Sequence, residues 1–509
     1  MARENKFGST GGAKETHANK LMETIVEDLI KASAMPYAQW RALSPNPLVP
    51  LAIPLSKGGQ YPVTQVGVDA AHALSRQSWT LREDLRQTIS LDAFTQLSFQ
   101  AIGDTLRDCK SHLPEVVGDQ EPQNAALGDD FYSLLVDDYL ASLQQLSSSS
   151  LVDVNRHIPC HLFHLEQAVP AFVVGPVQFR PRSEWLDCFV KDTDVRELIR
   201  QVDSRESEME VLSAQSMASE AGRHASNALG ILRTLRGFSW VATVRMEGHE
   251  NVQSHFKASI VVGLAIDAIG LRFQVEDALL FTKAGRQHLF AENRLATTLD
   301  GRILCGLSVQ MPGLGGSPGA LAAKMASERV FLDSAGCILQ HYIDGRRAGH
   351  ALHLVERWVN ALYWVGEARR EASDFMAVVN YGCAADGLSG AGGIAKNMTR
   401  FAEAALKPDG ETVSDGVLTI DAAVHKVYRE GRNKLAHGEM SGLFEDLAET
   451  RAVGEALLSA LFDVVTPVLA DLLQNEPNLL KLDEKNAYRL LETKLVKKKA
   501  NARLGTLED

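Results

Sequence analysis

The apolar residues of this chain change their period near residue 317, and that change limits what its two parts can fold into. Before it, Ile303, Cys305, Leu307, Val309 and Met311 occupy every second position and stop at Pro312-Gly313, the alternation of a strand with one buried face. After it, the alternation is gone. Leu352, Val355, Val359 and Leu362 form a stripe at helical spacing, as do Phe375, Val378 and Val379, then Phe401, Ala405 and Leu406, then Val424 and Val427, then Leu457, Leu458, Leu461 and Val465. Polar or Gly-rich joints separate the stripes, LSGAGG at 388–393 and KPDGETVSDG at 407–416. An all-α helical bundle is therefore expected at the C-terminal end.

The region before it mixes both periods. Residues 1–18 hold little to bury and read as a flexible arm, while Leu21, Ile25, Leu29 and Ile30 begin a mostly helical N-terminal subdomain over 19–150. Inside it, SPNPLVPLAIPLSKGG forces extended chain, because proline fixes φ and donates no ladder hydrogen bond. Ser147 to Ser150 reads as a linker. Val169 to Phe179, broken by Gly175-Pro176, and Phe238 to Met246 are rich in β-branched and aromatic residues, so 151–340 reads as α+β. The bundle then occupies 341–475, and 476–509 is a basic tail containing KLVKKKANAR. The expected class is an α+β N-terminal region followed by an all-α helical-bundle C-terminal domain.

With 52 basic and 64 acidic side chains the chain carries −12, which excludes a generally basic nucleic-acid coat and leaves any phosphate contact to a local patch. Its six cysteines form no CxxC pair, neither a disulfide framework nor a zinc ribbon. The first residues hold no apolar run, and the most apolar internal run, Ala258 to Leu271, is short for a bilayer and contains Asp267. A cytoplasmic chain without membrane insertion is expected.

His157, Cys160, His161 and His164 crowd into HIPCHLFH, and Cys and His are zinc's preferred ligands. On a strand they divide between two faces, and Pro159 argues against a helix, so a partly buried strand or turn stands beside a metal site. GLGGSPG at 313–319 and GLSGAGGIAK at 387–396 invite comparison with phosphate-cradling loops, yet neither carries the GK[ST] ending, and both also read as turns. No GxSxG or HExxH is present.

The most informative stretch is VHKVYREGRNKLAHGEM, Val424 to Met440. Four basic residues (Lys426, Arg429, Arg432, Lys434) face two acids (Glu430, Glu439), a local balance of +2 in a chain of −12. Gly438 after His437 looks like the C′ glycine that ends a helix, which leaves the His437 side chain free to project past that end. Asn433 and His437 are i,i+4 neighbours, but Arg432 lies roughly 140° from His437 on an ideal helix, so their convergence needs a distorted last turn or a second chain. Gly431 in a helix interior hints that another backbone or a ligand comes close. A capped basic helix with a surface histidine is the plainer alternative.

Arg432-Asn433 followed by His437-Gly438 resembles the R-polar-x3-H signature of HEPN domains, all-α bundles of prokaryotic toxins and antiviral ribonucleases. The layout from about Gly349 to Leu473 is similar too, and the RNKLAHG run looks most like the Apea-like HEPN group. Two residues depart from the pattern: Tyr428 stands one residue further from the arginine than the expected aromatic, and Asp386 stands where glutamate is commoner. The resemblance implies metal-independent RNA cleavage with no cofactor. It implies that His437 acts as general base on the 2′-hydroxyl or acid to the leaving oxygen, that Arg432 stabilises charge on the phosphorane, and that Asn433 orients one of them. Arg429 and Lys434 would hold flanking phosphates and Asp386 would support the site. A homodimer through the bundle, an RNA substrate and a phage or host trigger are also implied, and residues 20–340, too large and too well patterned to be a tether, are expected to form a sensor or restraining module. The alternatives are an inactive HEPN fold that binds a partner or nucleotide, and a metallohydrolase centred on His157 to His164.

Overall fold

The structure, a computed structural model, describes residues 11–46, 51–82, 85–109, 129–202, 219–286, 291–299, 302–309, 312–345, 352–406, 418–438 and 446–505. Two compact units emerge, Met1–Val154 with Met246–Phe256, and Asn155–Arg245 with Lys257–Asp509.

In the first unit, helix begins earlier than the composition suggests. Helix α1 (Gly11–Ser33) takes in residues 11–18 of the expected arm, with Ala18 buried, because Met22, Ile25, Val26 and Leu29 give it a face to bury. Helix α2 (Tyr37–Ala42) follows, and the proline-rich stretch then forms β1 (Ala52–Pro54), paired antiparallel with β2 (Gln60–Pro62). Helices α3 (Gln65–Leu81), α4 (Leu91–Asp108) and α5 (Asp129–Ser149) complete the core around Leu74, Phe94, Ile102, Leu135 and Tyr139. The buried Tyr139 hydroxyl bonds Ser78 at 3.0 Å and Ser98 at 2.9 Å. The serine run is not a linker: α5 continues to Ser149 and Ser147 is fully buried, since serine tolerates a helix end when packing holds it there.

A five-stranded sheet of order β4-β5-β6-β3-β7 lies largely in the second unit, the first residues of β3 and the last of β6 belonging to the first unit. Its strands are β3 (Val152–His161), β4 (Phe172–Val174), β5 (Val177–Pro181), β6 (Trp240–His249) and β7 (Thr282–Lys283). The β4–β5 hairpin turns at Gly175, φ +55°, where the expected Gly-Pro break lies. Helices α6 (Arg182–Phe189), α7 (Thr193–Val202), α8 (Glu220–Leu235), α9 (Asn251–Gly270) and α10 (Val275–Ala278) intervene. A separate ribbon pairs β8 (Ala291–Thr297) with β9 (Ile303–Val309), the strand expected from its period of two; Met311 lies outside the described residues. Helices α11 (Pro318–Ser327) and α12 (Arg329–Asp344) lead to the bundle.

The bundle comprises α13 (His353–Arg370), α14 (Asp374–Ser389), α15 (Ala395–Ala405), α16 (Ile420–Val424), a π-helix (His425–Asn433), α17 (Lys434–Ala436), α18 (Ala448–Asn475) and α19 (Glu484–Gly505). Trp358, Leu362, Tyr381, Phe401, Leu457 and Phe462 fill its centre. Helix α19 packs on the bundle through Ala487, Leu491 and Leu495, with the Tyr488 hydroxyl donating to the Leu388 carbonyl at 3.2 Å, while Val496, Lys497 and Lys498 of the lysine-rich run are exposed. Residues 155–245 and 257–340 share this compact unit with the bundle.

A buried charge cluster joins them. Asp267 on α9 accepts from Arg286 at 3.0 Å and Arg370 at 2.5 Å, and Glu367 bonds the same two arginines at 2.6 and 3.2 Å. Gly366 leaves the room, for a Cβ there would lie 2.4 Å from the Asp267 carboxyl carbon. The apolar run around Asp267 is longer than expected because its helix starts at Asn251; α9 and α18 are each long and apolar enough to cross a membrane, and both are mostly buried within the protein.

Candidate functional site

The informative stretch forms one continuous rod in three conformations, α16, the π-helix and α17. Hydrogen bonding from i to i+5 widens a turn beyond four residues and is frequent at functional sites. His425 Nδ1 thus reaches Glu430 Oε1 at 3.4 Å, five residues on, where an α-helix would hold the pair roughly 140° apart. The distortion expected near Arg432 and His437 exists, but it precedes the last turn, and α17 restores α geometry before His437.

Two glycines seat this rod against α14. A Cβ on Gly431 would lie 2.5 Å from the Val378 side chain, so what comes close at Gly431 is a neighbouring helix's side chain. One turn on, a Cβ on Gly382 would lie 2.4 Å from the Arg432 Cβ. Arg432 is half-buried, its guanidinium carbon 5.5 Å from the ring centre of Tyr428, a cation–π contact at i,i+4 spacing. Its Nη1 donates to Asn433 Oδ1 at 2.9 Å. Because arginine only donates, Asn433 must present its oxygen there, and among the described residues its amide nitrogen has no acceptor.

Tyr428 is buried beneath Arg432. Burial and the Asp386 charge raise its phenol above the ordinary range, with the Arg432 charge working the other way. Asp386 Oδ1 accepts the Gly393 N–H at 2.8 Å and so ties the α14–α15 joint, the helix–helix reading of GLSGAGGIAK. The position that departs from the expected aromatic spacing is therefore the platform for the arginine. Its signal was legible as the i,i+4 spacing of Tyr428 and Arg432; Gly382, fifty residues upstream, offers no such local signal.

His437 closes α17 as its C-cap, its N–H on the Asn433 carbonyl at 3.0 Å, and Gly438 follows with φ +70°, the expected C′ glycine. The imidazole is exposed, as is Lys434, and among the described residues neither side chain has a partner. The structure thus gathers Arg432, Asn433, Tyr428 and Asp386, and leaves His437 and Lys434 open at the rod's end. Arg429 lies elsewhere, on a cleft shared with α15.

The histidine cluster at 157–164 does not converge. His157 Nδ1 accepts the Trp185 indole N–H at 3.0 Å, with the Thr243 hydroxyl also 3.0 Å away, and burial holds this imidazole down at about 4. Cys160 is fully buried, His161 stacks on Phe238 with ring centres 4.7 Å apart, and His164 is exposed. The metallohydrolase alternative loses its centre, because strand alternation separates these side chains. The loop at 313–319 is likewise a turn whose Gly313 and Leu314 amides bond the Leu280 and Leu162 carbonyls. Among the described residues, ligand atoms gather within 4.8 Å only at Asp192, Asp194 and His224, and Asp192 there caps α7.

The chain matches no family model, no curated protein and no solved structure.

Proposed function

We propose that the bundle is a HEPN-type endoribonuclease that needs no metal. The observation that supports this most is Arg432 held half-buried between the Tyr428 ring and Asn433, a few residues before an exposed histidine on a glycine-capped helix end. A guanidinium fixed on an aromatic face keeps its other N–H groups directed outward, the posture for two-pronged contact with phosphate oxygens.

In this reading the RNA 2′-oxygen attacks the adjacent phosphorus and the 5′-oxygen leaves, giving a 2′,3′-cyclic phosphate and a 5′-hydroxyl. One proton leaves the 2′-hydroxyl and one reaches the departing oxygen, and His437 serves one of these transfers. Arg432 and the Asn433 amide stabilise the charge that grows on the phosphorane oxygens. A second copy of the chain supplies the second histidine, which makes a homodimer through the bundle part of the proposal. The rest of the chain is read as the region that senses a phage or host trigger in a cytoplasmic antiviral, abortive-infection or toxin role, because an unrestrained ribonuclease would destroy its own cell's RNA.

The test is incubation of the purified protein with total cellular RNA, with and without EDTA, beside an Arg432→Ala/His437→Ala variant. Cleavage that ignores EDTA and disappears in the variant supports the proposal. No cleavage under any condition moves the inactive, partner-binding fold ahead.

A further inference from the structure

We infer that the cleft between α15 and the rod is a binding site for a nucleotide of the RNA strand flanking the cut, an inference that rests on the ribonuclease reading. The cleft encloses about 510 Å³, within the roughly 300–1,000 Å³ of small-ligand sites. Its cations are Lys396 and Arg400 from α15 and Arg429 from the π-helix, and its carboxylates are Glu403 and Asp421.

Three cations meet in one concavity of a chain whose net charge is −12. Lys396 and Arg429 are exposed, and among the described residues neither has an ion-pair or hydrogen-bond partner. Arg400 pairs with Glu492 at 3.3 Å with 66% of its side chain exposed, a contact that costs little to exchange. Like charges left open around a cavity repel one another and gain when an anion enters. The carboxylates choose among anions. Asp421 is held by the Thr399 hydroxyl at 3.1 Å, while Glu403 is exposed. Both would repel a bare phosphate, but a nucleotide presents phosphate oxygens to the cations and base amino or ribose hydroxyl donors to the acids. Arg429 stands three residues before Arg432, so cleft and proposed scissile site share one helical segment.

The test titrates a short single-stranded RNA into full-length His437→Ala protein, with and without Lys396→Gln/Arg429→Gln, across a range of salt, while the wild type is assayed for cleavage. Both replaced side chains are exposed, so folding is preserved and a melting curve checks it. Binding weaker by about tenfold or more is expected, with a log K versus log salt slope shallower by about 1.4, roughly 0.7 for each lost phosphate contact. Unchanged affinity and slope, with the wild type cleaving RNA, overturns the cleft assignment alone. A wild type that neither binds nor cleaves RNA overturns both readings. If the double variant loses binding of free adenosine monophosphate while keeping its RNA affinity, the cleft belongs to a soluble nucleotide and the assignment to the strand is overturned.

Discussion

Gly382 lies where the stem of Arg432 crosses α14, with space for a hydrogen and no more: a Cβ would stand 2.4 Å from the Arg432 Cβ and 2.8 Å from its Cγ. Val378, one turn earlier, fills the matching notch at Gly431. The two notches fix the register of the rod, and with it where the guanidinium points.

Gly382→Ala should therefore displace Arg432 without removing any charged group. Overpacking of this kind costs about 1–3 kcal/mol, and misplacing a catalytic group by an ångström costs about 10²-fold in rate. Melting curves and RNA cleavage on the same sample check both. Full activity in this variant would mean that the seat of Arg432 does not matter.

His437→Ala should lower RNA cleavage by about 10²–10⁴-fold without changing the melting temperature, since the imidazole is exposed. Arg432→Lys should fail as well, because a compact ammonium reproduces neither the stacking on Tyr428 nor the planar grip on phosphate. Product analysis should find 2′,3′-cyclic phosphate ends that EDTA does not abolish. Near wild-type cleavage by His437→Ala would sink the mechanism.

Light scattering at micromolar concentration should report a dimer. Arg432 and His437 straddle the return from π to α geometry, and among the described residues no hydrogen bond joins the two side chains to each other within one copy. Two-fold pairing is the commonest mode of self-association. A strictly monomeric, fully active protein would contradict this.

His157 predicts a pH dependence of stability. Its imidazole is held down at about 4 by burial, against an ordinary value of 6.5. As pH falls below about 6.5 the unfolded chain binds the proton first, so this group's contribution is complete above 6.5, declines between 6.5 and 4, and is flat below. Melting temperatures of the wild type and His157→Gln across that interval should converge toward pH 4; parallel curves would show that His157 carries no such linkage.

Asp267→Asn should cost about 3–5 kcal/mol, because it removes the more deeply buried of the two carboxylates that Arg286 and Arg370 share and leaves Glu367 alone to match both. Chemical denaturation measures it directly. A loss below 1 kcal/mol would mean that water already reaches the cluster.

Much of this molecule could be read from residue order. The stripes from Leu352, Phe375 and Phe401 became α13, α14 and α15, and Gly438 ends its helix with the positive φ expected of it. These features are local, set by the period of the apolar face and by the conformational freedom of one residue. The π-helix was not legible, and neither was the tertiary contact of Gly431 with Val378 inside it, which no helical period encodes. The same holds for the packing of α19 on the bundle through Leu491 and Leu495, while Lys497 and Lys498 that follow are exposed. Of the candidate site, the spacing of Arg432, Asn433 and His437 was visible, while the separation of Arg429 onto another cleft depended on how α15 lies beside the rod.

Arg370 leaves α13 and finds its counter-ion on a helix laid down a hundred residues earlier. A bundle built in this way is no portable cassette. Grafted onto a foreign partner without α9, it would keep Arg370 with only the half-buried Glu367 to answer its charge and would lose the carboxylate that Gly366 makes room for, so Asp267 has to travel with Arg370.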